Sequence, residues 1–262
     1  MQSFRNIDQG QAFDWGKTSD DYGRYRQGPP GSFYGCLKAA GVGLPGQRIL
    51  DLGTGTGVLA RRFARQGAVV SGIDLSTEQV AMARKLAEAE EISVDFRVSP
   101  AETTSFPDRS FDAITANQCW LYFDKMCVIP EVRRLLAFGG VLVQSNFGWL
   151  PRQDPVARSS EELVLKYNPS WSGRDWEGEP VVLPVWAREA FALRSVISYD
   201  EPIPFTRETW RGRIRACRGV GAALPKEGMA AFDAEHDTLL KEIAPEQFTI
   251  LHRIQAFLLA PL

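Results

Sequence analysis

The sequence predicts an α/β protein built on a seven-stranded, mostly parallel sheet with helices on both faces. Strand-like and helical stretches alternate from Ile49 to Phe147, and repeated units of that length call for crossover helices on both sides of a parallel sheet. Glycines at 53, 55 and 57 follow directly on the apolar run Ile49, Leu50, Leu52, the pattern of a strand entering a helix through a tight loop. The tail returns to strand-like sequence twice, at FALRSVISYDEPIPF and QFTILHRIQAFLLA, adding two strands to the five before them.

The first strand is ILDLG, and the apolar helical pattern after it, from Val58 to Ala64, stops at Gly67. The second strand, AVVSGIDL, is followed by a helix from Thr77 to Glu91, with Ser76 and Gln79 in capping-box spacing at its start. SVDFRV is the third strand and FDAITANQ the fourth. After the polar turn at Asp124 comes a helix ending at LLAFGG, where Gly139 supplies a left-handed C-cap, and then the fifth strand, GVLVQSNF. Pro130 falls inside that helical region and is expected at a helix start or a kink, because proline removes a backbone donor. Helical stretches begin near Arg207 and near Lys226, between the two strands of the tail.

Two regions leave this rhythm. Residues 1–45, rich in Gly, Tyr and Pro, read as an N-terminal cap segment. Within a core of 46–262, the stretch 148–190 reads as an insertion carrying Trp149, Trp171, Trp176 and Trp186 among prolines and charges. Both are expected to be loops or short helices that serve as lids. No internal repeat is visible.

With 262 residues, 44% hydrophobic, and a formal charge of -2, the chain suits one large α/β domain with an elaboration, or two small domains. The balanced charge gives no basic field for capturing nucleic acid. Arg207, Arg211, Arg213, Arg215 and Arg218 cluster, and are expected to form a solvated helix face. Cys36, Cys119, Cys127 and Cys217 form no CxxC pair, and with only His236 and His252 present no metal-ligand spacing is assembled. His252 is expected in the interior or at an edge, His236 at the surface. The N-terminal MQSFRNIDQGQAFDW has no apolar core of signal-peptide length, and no apolar run is long enough to cross a bilayer. A cytoplasmic protein acting on a small molecule, with neither membrane nor nucleic acid as partner, is therefore expected; no oligomeric state is read from the sequence.

The glycine loop narrows the ligand. In a GxGxxG dinucleotide loop the third glycine would fall at Val58, whereas here the loop reads Asp51-Leu-Gly-Thr-Gly-Thr-Gly57. A carboxylate ending the first strand is unfavourable beside a pyrophosphate and suits an ammonium or another cation. An adenosine compound without phosphates matches best. Asp74 ends the second strand, where its two oxygens can accept from both ribose hydroxyls; NAD-binding folds also use an acid there.

These residues resemble the class I S-adenosylmethionine-dependent methyltransferases, in particular the small-molecule branch called methyltransferase type 11 and bacterial relatives of trans-aconitate methyltransferase. The likeness covers roughly the first 150 residues, through the Asp51 to Gly57 loop with Asp74, the segment SPAETTSFPDRSFDAITANQ and the turn AFGGVLV. It implies a Rossmann-like fold and S-adenosylmethionine as cofactor. By the same likeness Asp51, Gly53, Gly55 and Gly57 pack on the methionine part, Asp74 binds the ribose, and Leu75 lies along the adenine. Ala101 and Glu102 are implied at the adenine edge, and Asn117 at the methyl end. The chain departs from the family at Pro100, where many members carry Asp, and at Leu121, where a relative can show His. The N-terminal GKTSDDYGRYRQGPP resembles the family's Tyr-x-x-Tyr-Arg segment, which implies Tyr22 and Tyr25 near the acceptor and Arg26 on the methionine carboxylate.

The implied reaction is in-line attack of a nucleophile on the sulfonium methyl, which needs alignment and exclusion of water more than a dedicated catalytic residue. Tyr22, Tyr25, Trp120, Trp171 and Trp176 are the candidate acceptor contacts, since aromatic rings favour a cation and a partly apolar ligand; for these tyrosines and for Trp171 and Trp176 the competing expectation is a packing anchor. A cofactor-binding scaffold without transferase activity, and an NAD-dependent oxidoreductase, are the competing functions.

Overall fold

The computed structural model describes residues 7–262; residues 1–6, which begin both the stretch read for a leader and the N-terminal cap, lie outside the described residues. Seven strands form one sheet: β1 (Arg48–Leu52), β2 (Val69–Asp74), β3 (Asp95–Val98), β4 (Phe111–Asn117), β5 (Leu136–Trp149), β6 (Phe191–Thr206) and β7 (Gln247–Pro261), in the order β3-β2-β1-β4-β5-β7-β6. β1 runs parallel to β2 and β4, β2 to β3, and β4 to β5. The last four residues of β1 are buried, as a strand covered on both faces must be. The chain moves outward from β1 through β2 to β3, then crosses to β4 on the other side. The order therefore reverses between β1 and β4, and open α/β sheets bind ligands outside the carboxyl ends of their strands at such a reversal.

Helices α1 (Ser19–Tyr25) and α2 (Gly31–Ala39) precede the sheet; α3 (Val58–Arg65), α4 (Thr77–Ala89) and α5 (Lys125–Leu135) connect its strands. Ser76 caps α4 as its spacing implies, its hydroxyl accepting from the Gln79 amide at 3.2 Å. Two local expectations are corrected. Pro130 is the sixth residue of the eleven-residue α5 and lies within the helix. The bond it removes would end on the carbonyl of Met126, and both residues are exposed, so water can satisfy that oxygen. Gly139 does not cap α5, which passes straight into extended backbone at Leu136. It takes its left-handed φ of 76° inside an irregularity of the β4–β5 pairing, where Leu136 pairs with Phe111 and the ladder resumes at Val141 with Ala113.

The chain divides into two compact units. The sheet unit comprises Gly28–Phe147, Glu179–Tyr199 and Ile254–Leu262. Its core gathers Leu50, Leu52, Ile73, Ile114, Val132, Leu142 and Phe257, with Trp120 among them.

The helical unit comprises Met1–Gln27, Gly148–Gly178 and Asp200–Arg253. It holds α6 (Pro155–Tyr167), α7 (Arg207–Arg215) and α8 (Lys226–Ile243). The stretch after Gly148 thus contains a 13-residue helix rather than only loops and short helices; Asp154 caps it, accepting from the amides of Val156 and Ala157, and Pro155 occupies its first turn. The arginines of 207–218 are not a solvated face. Arg211 pairs with Asp233 and Asp237, Arg215 with Asp21 and Asp233, Arg207 with Glu246, and Arg218 with the buried Asp8. His236, expected at the surface, is fully buried. The Ser160 hydroxyl donates to the Val156 carbonyl at 2.8 Å and accepts from Trp210 Nε1 at 2.9 Å, so His236 Nε2, 3.0 Å away, must be the donor to it. His252 is buried as expected, with Nδ1 2.9 Å from the Ile250 carbonyl. Desolvation holds His236 down to about 4 and His252 to about 3, so both are neutral.

Candidate active site

The site starts where β1 ends. Gly53 and Gly57 have φ of 58° and 76°, a left-handed conformation that a side chain disfavours. Space enforces the same choice: a Cβ on Gly53 would lie 2.8 Å from Cys119 Cβ, and one on Gly57 2.5 Å from Phe96 Cζ. Gly55 is also left-handed, at 56°. The expected strand, glycine loop and helix are all present.

Asp51 lies beneath this loop, only 3% exposed. Thr54 and Thr115 each donate a hydroxyl to one of its carboxylate oxygens, at 2.6 Å. Burial pushes its pKa up to about 6, and the two hydroxyl bonds work against that rise. Asp74 is placed differently. One oxygen accepts from the Gly55 amide and the other from the Ser76 amide, both at 2.9 Å. Its carboxylate ties the glycine loop to the end of β2 and keeps lone pairs for further donors. Burial raises its pKa, against the pull of the backbone amides. Beside it Leu75 is 54% exposed, an apolar side chain left open at the sheet's carboxyl edge.

The other predicted residues of this unit fall at the ends of β3 and β4. Ala101 is buried in the core, and Glu102 accepts from the Asp124 amide at 3.0 Å, tethering the segment before α5. Asn117 Oδ1 accepts from the Ser145 hydroxyl at 3.0 Å. Gln118 follows with a left-handed φ of 58°, a strained turn for a residue other than glycine, of the kind that collects at functional sites. Trp120 is a core residue, 4% exposed, with its ring 4.6 Å from that of Trp186 and its Nε1–H without an acceptor among the described residues.

Arg26, Tyr22, Tyr25, Trp171 and Trp176 belong to the helical unit. Arg26 lies over the Tyr22 ring at 4.5 Å. Tyr25 is buried against Gly212 and donates its hydroxyl to Glu208 at 3.1 Å, docking α1 on α7. Trp171 is buried against Gly219, and the half-buried Trp176 covers Gly148. Tyr25 and Trp171 are thus packing anchors in this structure.

Four participants carry no signal in the sequence read alone. Thr54 and Thr115 hold Asp51. Cys119, whose thiol donates to the Leu52 carbonyl at 3.1 Å, walls Gly53. Gly28 packs directly on Val58, the residue standing where a dinucleotide loop would have its third glycine; that valine is accommodated because the chain crossing it has no side chain.

A glycine loop tied by a carboxylate to the neighbouring strand end, at the reversal point of a parallel sheet, defines a nucleoside-binding α/β enzyme. The comparisons with known proteins narrow the class. The methyltransferase-domain family matches residues 49–140. The chain is 32% identical over 181 residues to a ubiquinone biosynthesis O-methyltransferase of Xanthomonas campestris pv. campestris, spanning 68% of this chain and 73% of that protein. It is 35% identical over 159 residues to that of Alkalilimnicola ehrlichii, spanning 59% of this chain and 64% of that one. The X-ray structure of YjhP from E. coli shares the fold, with a TM-score of 0.57 at 19% identity over 94% of this chain and 99% of that one. The chain belongs to the class I S-adenosylmethionine-dependent methyltransferases. S-adenosylmethionine is its cofactor, and the oxidoreductase reading falls. These relatives are ubiquinone O-methyltransferases, not trans-aconitate methyltransferases.

The residues present fit that cofactor. Asp74 has lone pairs left for hydroxyls, the loop backbone has no Cβ at Gly53 and Gly57, and Leu75 offers open apolar surface. No phosphate-binding cation is required. Among the described residues no helix is long and apolar enough to cross a membrane.

Proposed function

We propose that the chain methylates a small-molecule acceptor, with Asp74 holding the cofactor ribose as the central contact. The supporting observation is the double backbone grip on Asp74, from Gly55 and Ser76, which fixes a carboxylate at the strand end with acceptor capacity to spare. Leu75 and Ala101 flank the adenine, with Glu102 at its edge. Gly53, Gly55 and Gly57 face the methionine part, with Asp51 shaping the loop below them, and Asn117 borders the methyl end. The sulfonium supplies an already activated methyl, so the protein's work is to align the acceptor and exclude water. Cys119 bears on this. Burial and the charges of Asp51 and Asp74 push its thiol well above the ordinary value, which keeps the sulfur protonated beside Gly53 and unable to take the methyl itself.

A small acceptor is favoured because the arginines 207, 211, 215 and 218 are spent on internal carboxylates, so this cluster does not offer a basic stripe to a phosphate backbone. An oxygen acceptor is the first to try, since the curated relatives are O-methyltransferases of ubiquinone biosynthesis. The N-terminal segment and the region 148–190 are proposed to set acceptor choice. Calorimetric titration with S-adenosylmethionine, S-adenosylhomocysteine and NAD, on the wild type and Asp74→Asn, tests the cofactor contact. Methyl transfer to phenols, carboxylic acids, amines and transfer RNA then tests the acceptor; labelling of RNA alone would overturn it.

A further inference from the structure

One buried donor of the sheet unit goes unanswered. Trp120 is 4% exposed, and its Nε1–H is enclosed with no acceptor among the described residues. The neighbouring groups supply none. The rings of Trp186 and Phe123, centred 4.6 and 5.8 Å from its own, offer no lone pair to an N–H. The Lys125 ammonium, 5.9 Å from the ring centre, is itself a donor and gives a hydrogen bond to the Phe123 carbonyl at 2.5 Å. The segment bearing Trp120 also borders the glycine loop: Cys119 walls Gly53, and Phe123 Cζ would lie 3.4 Å from a Cβ there.

A desolvated donor without an acceptor weakens a fold, and such a group in a native chain calls for a reason. The span 179–187 brings Trp186 over this one. Its ends are fixed, at Glu179 by hydrogen bonds between its backbone and the Gln255 side chain, and at Ala187 by burial. Between them the backbone makes local turns, with the Val182 amide donating to the Pro180 carbonyl and the Ala187 amide to the Pro184 carbonyl. Leu183 and Trp186 pack on the core, whereas Val181, Val182 and Val185 are exposed. A short span of local turns between fixed ends can open without unfolding the sheet. Closed on an empty site it seals an unpaired N–H, a cost that is removed when a ligand oxygen accepts from Trp120 beneath it.

We propose that the Trp120 Nε1–H donates to an oxygen of the bound methyl acceptor, and that Trp186 is the gate which opens to admit that acceptor and closes over it. The identity of the ligand as a methyl acceptor rests on the methyl-transfer reading. Trp120 then determines specificity: a ring bearing an accepting oxygen pairs the donor, and an apolar ring of the same shape leaves it unpaired and is rejected.

The test follows the Trp120 indole N–H by NMR in the full-length protein, isotope-labelled on the indole nitrogens of tryptophan, with the signal identified by its loss in Trp120→Phe. Phenol and toluene, alike in shape, are the probes, each added with saturating S-adenosylhomocysteine. In the ligand-free protein the signal should stand where an unbonded indole N–H stands. Phenol should move it downfield and slow its exchange with solvent about tenfold or more, and toluene should do neither. In the ligand-free protein Trp186→Ala should speed that exchange about tenfold or more while the amides of β1 and β4 exchange as in the wild type. The comparison of phenol with toluene needs only wild-type protein and stands even if Trp186→Ala does not fold. Equal effects of the two probes, a signal already bonded in the ligand-free protein, as an enclosed water would give, or exchange unchanged by Trp186→Ala would overturn the proposal. Calorimetry of S-adenosylhomocysteine separates the two readings. If it binds and phenol acts no differently from toluene, the gate falls and methyl transfer stands; if it does not bind, methyl transfer falls and phenol against toluene still decides the Trp120 contact.

Discussion

Replacing Asp74 by Asn separates the two tasks assigned to that residue. In the wild type each carboxylate oxygen accepts one backbone N–H, from Gly55 and from Ser76, both at 2.9 Å. An amide has one acceptor end and one donor end, so in either orientation one backbone N–H is left facing an NH₂ group. A charge-assisted bond of about 1.5–3 kcal/mol is lost. Removing the charge also relieves the burial that raises the Asp74 pKa, so the net loss of stability is about 1 kcal/mol. Ribose binding suffers more. The remaining oxygen already serves the backbone and can take one hydroxyl at most in good geometry. Losing one charged contact of about 1.5–3 kcal/mol weakens S-adenosylmethionine roughly 10- to 150-fold. Calorimetry measures the affinity and urea unfolding of the ligand-free protein the stability. Cofactor binding within twofold of wild type would refute the ribose assignment. A ligand-free variant more stable than wild type would show that desolvation, not the two amide bonds, dominates at Asp74.

Gly57→Ala should destabilise the protein by about 2–5 kcal/mol, about 1–2 from the left-handed φ of 76° and about 1–3 from overpacking against Phe96; a urea midpoint at the wild-type value would contradict it. Stability should fall as the medium is acidified below about pH 6.5. His236 and His252 have folded-state pKa values of about 4 and 3, below their ordinary value, so the unfolded state takes up protons first, costing up to about 1.4 kcal/mol per pH unit for each. Asp51, raised to about 6, acts in the opposite sense between about pH 6 and its ordinary value of 3.8 and offsets part of one histidine; a flat profile of unfolding midpoint between pH 7 and 5 would contradict this balance. S-adenosylmethionine affinity should decline below about pH 6 as Asp51 protonates, and titrations on Asp51→Asn should lack that inflection.

Hydrophobic alternation and turn chemistry are local, and what they determine was legible. The run ILDLG, the glycines 53 and 57 and the Ser76 cap specify strand, loop and helix without help from distant residues, and the structure has each of them. The partners of charges are not local. Arg215 meets Asp21 across 194 residues and Arg218 meets Asp8 across 210, so a cluster that reads as a solvated face is in fact largely paired within the unit. His236 sits in a charged stretch of sequence, but its place is set by Ser160, 76 residues away. Pro130 misleads for a related reason: the cost of proline in a helix depends on whether the orphaned carbonyl reaches water, which the sequence of α5 does not reveal.

The two acids of the glycine loop make the same point about function. Asp51 is the next-to-last residue of β1 and Asp74 the last of β2, and both read alike as ligands for a cofactor without phosphates. Their partners divide the work. Hydroxyls of Thr54 and Thr115 close on both oxygens of the buried Asp51, so it acts through the loop it shapes and through its charge. Asp74 is held by backbone amides from its own side, and what remains of its acceptor capacity is available to a ligand. Substitution at Asp51 should therefore disturb loop stability and cofactor affinity together, whereas Asp74→Asn should act far more on affinity than on stability. Unfolding and binding measured on both variants distinguish the two roles; equal ratios of the two effects would mean that the acids are interchangeable supports of one loop.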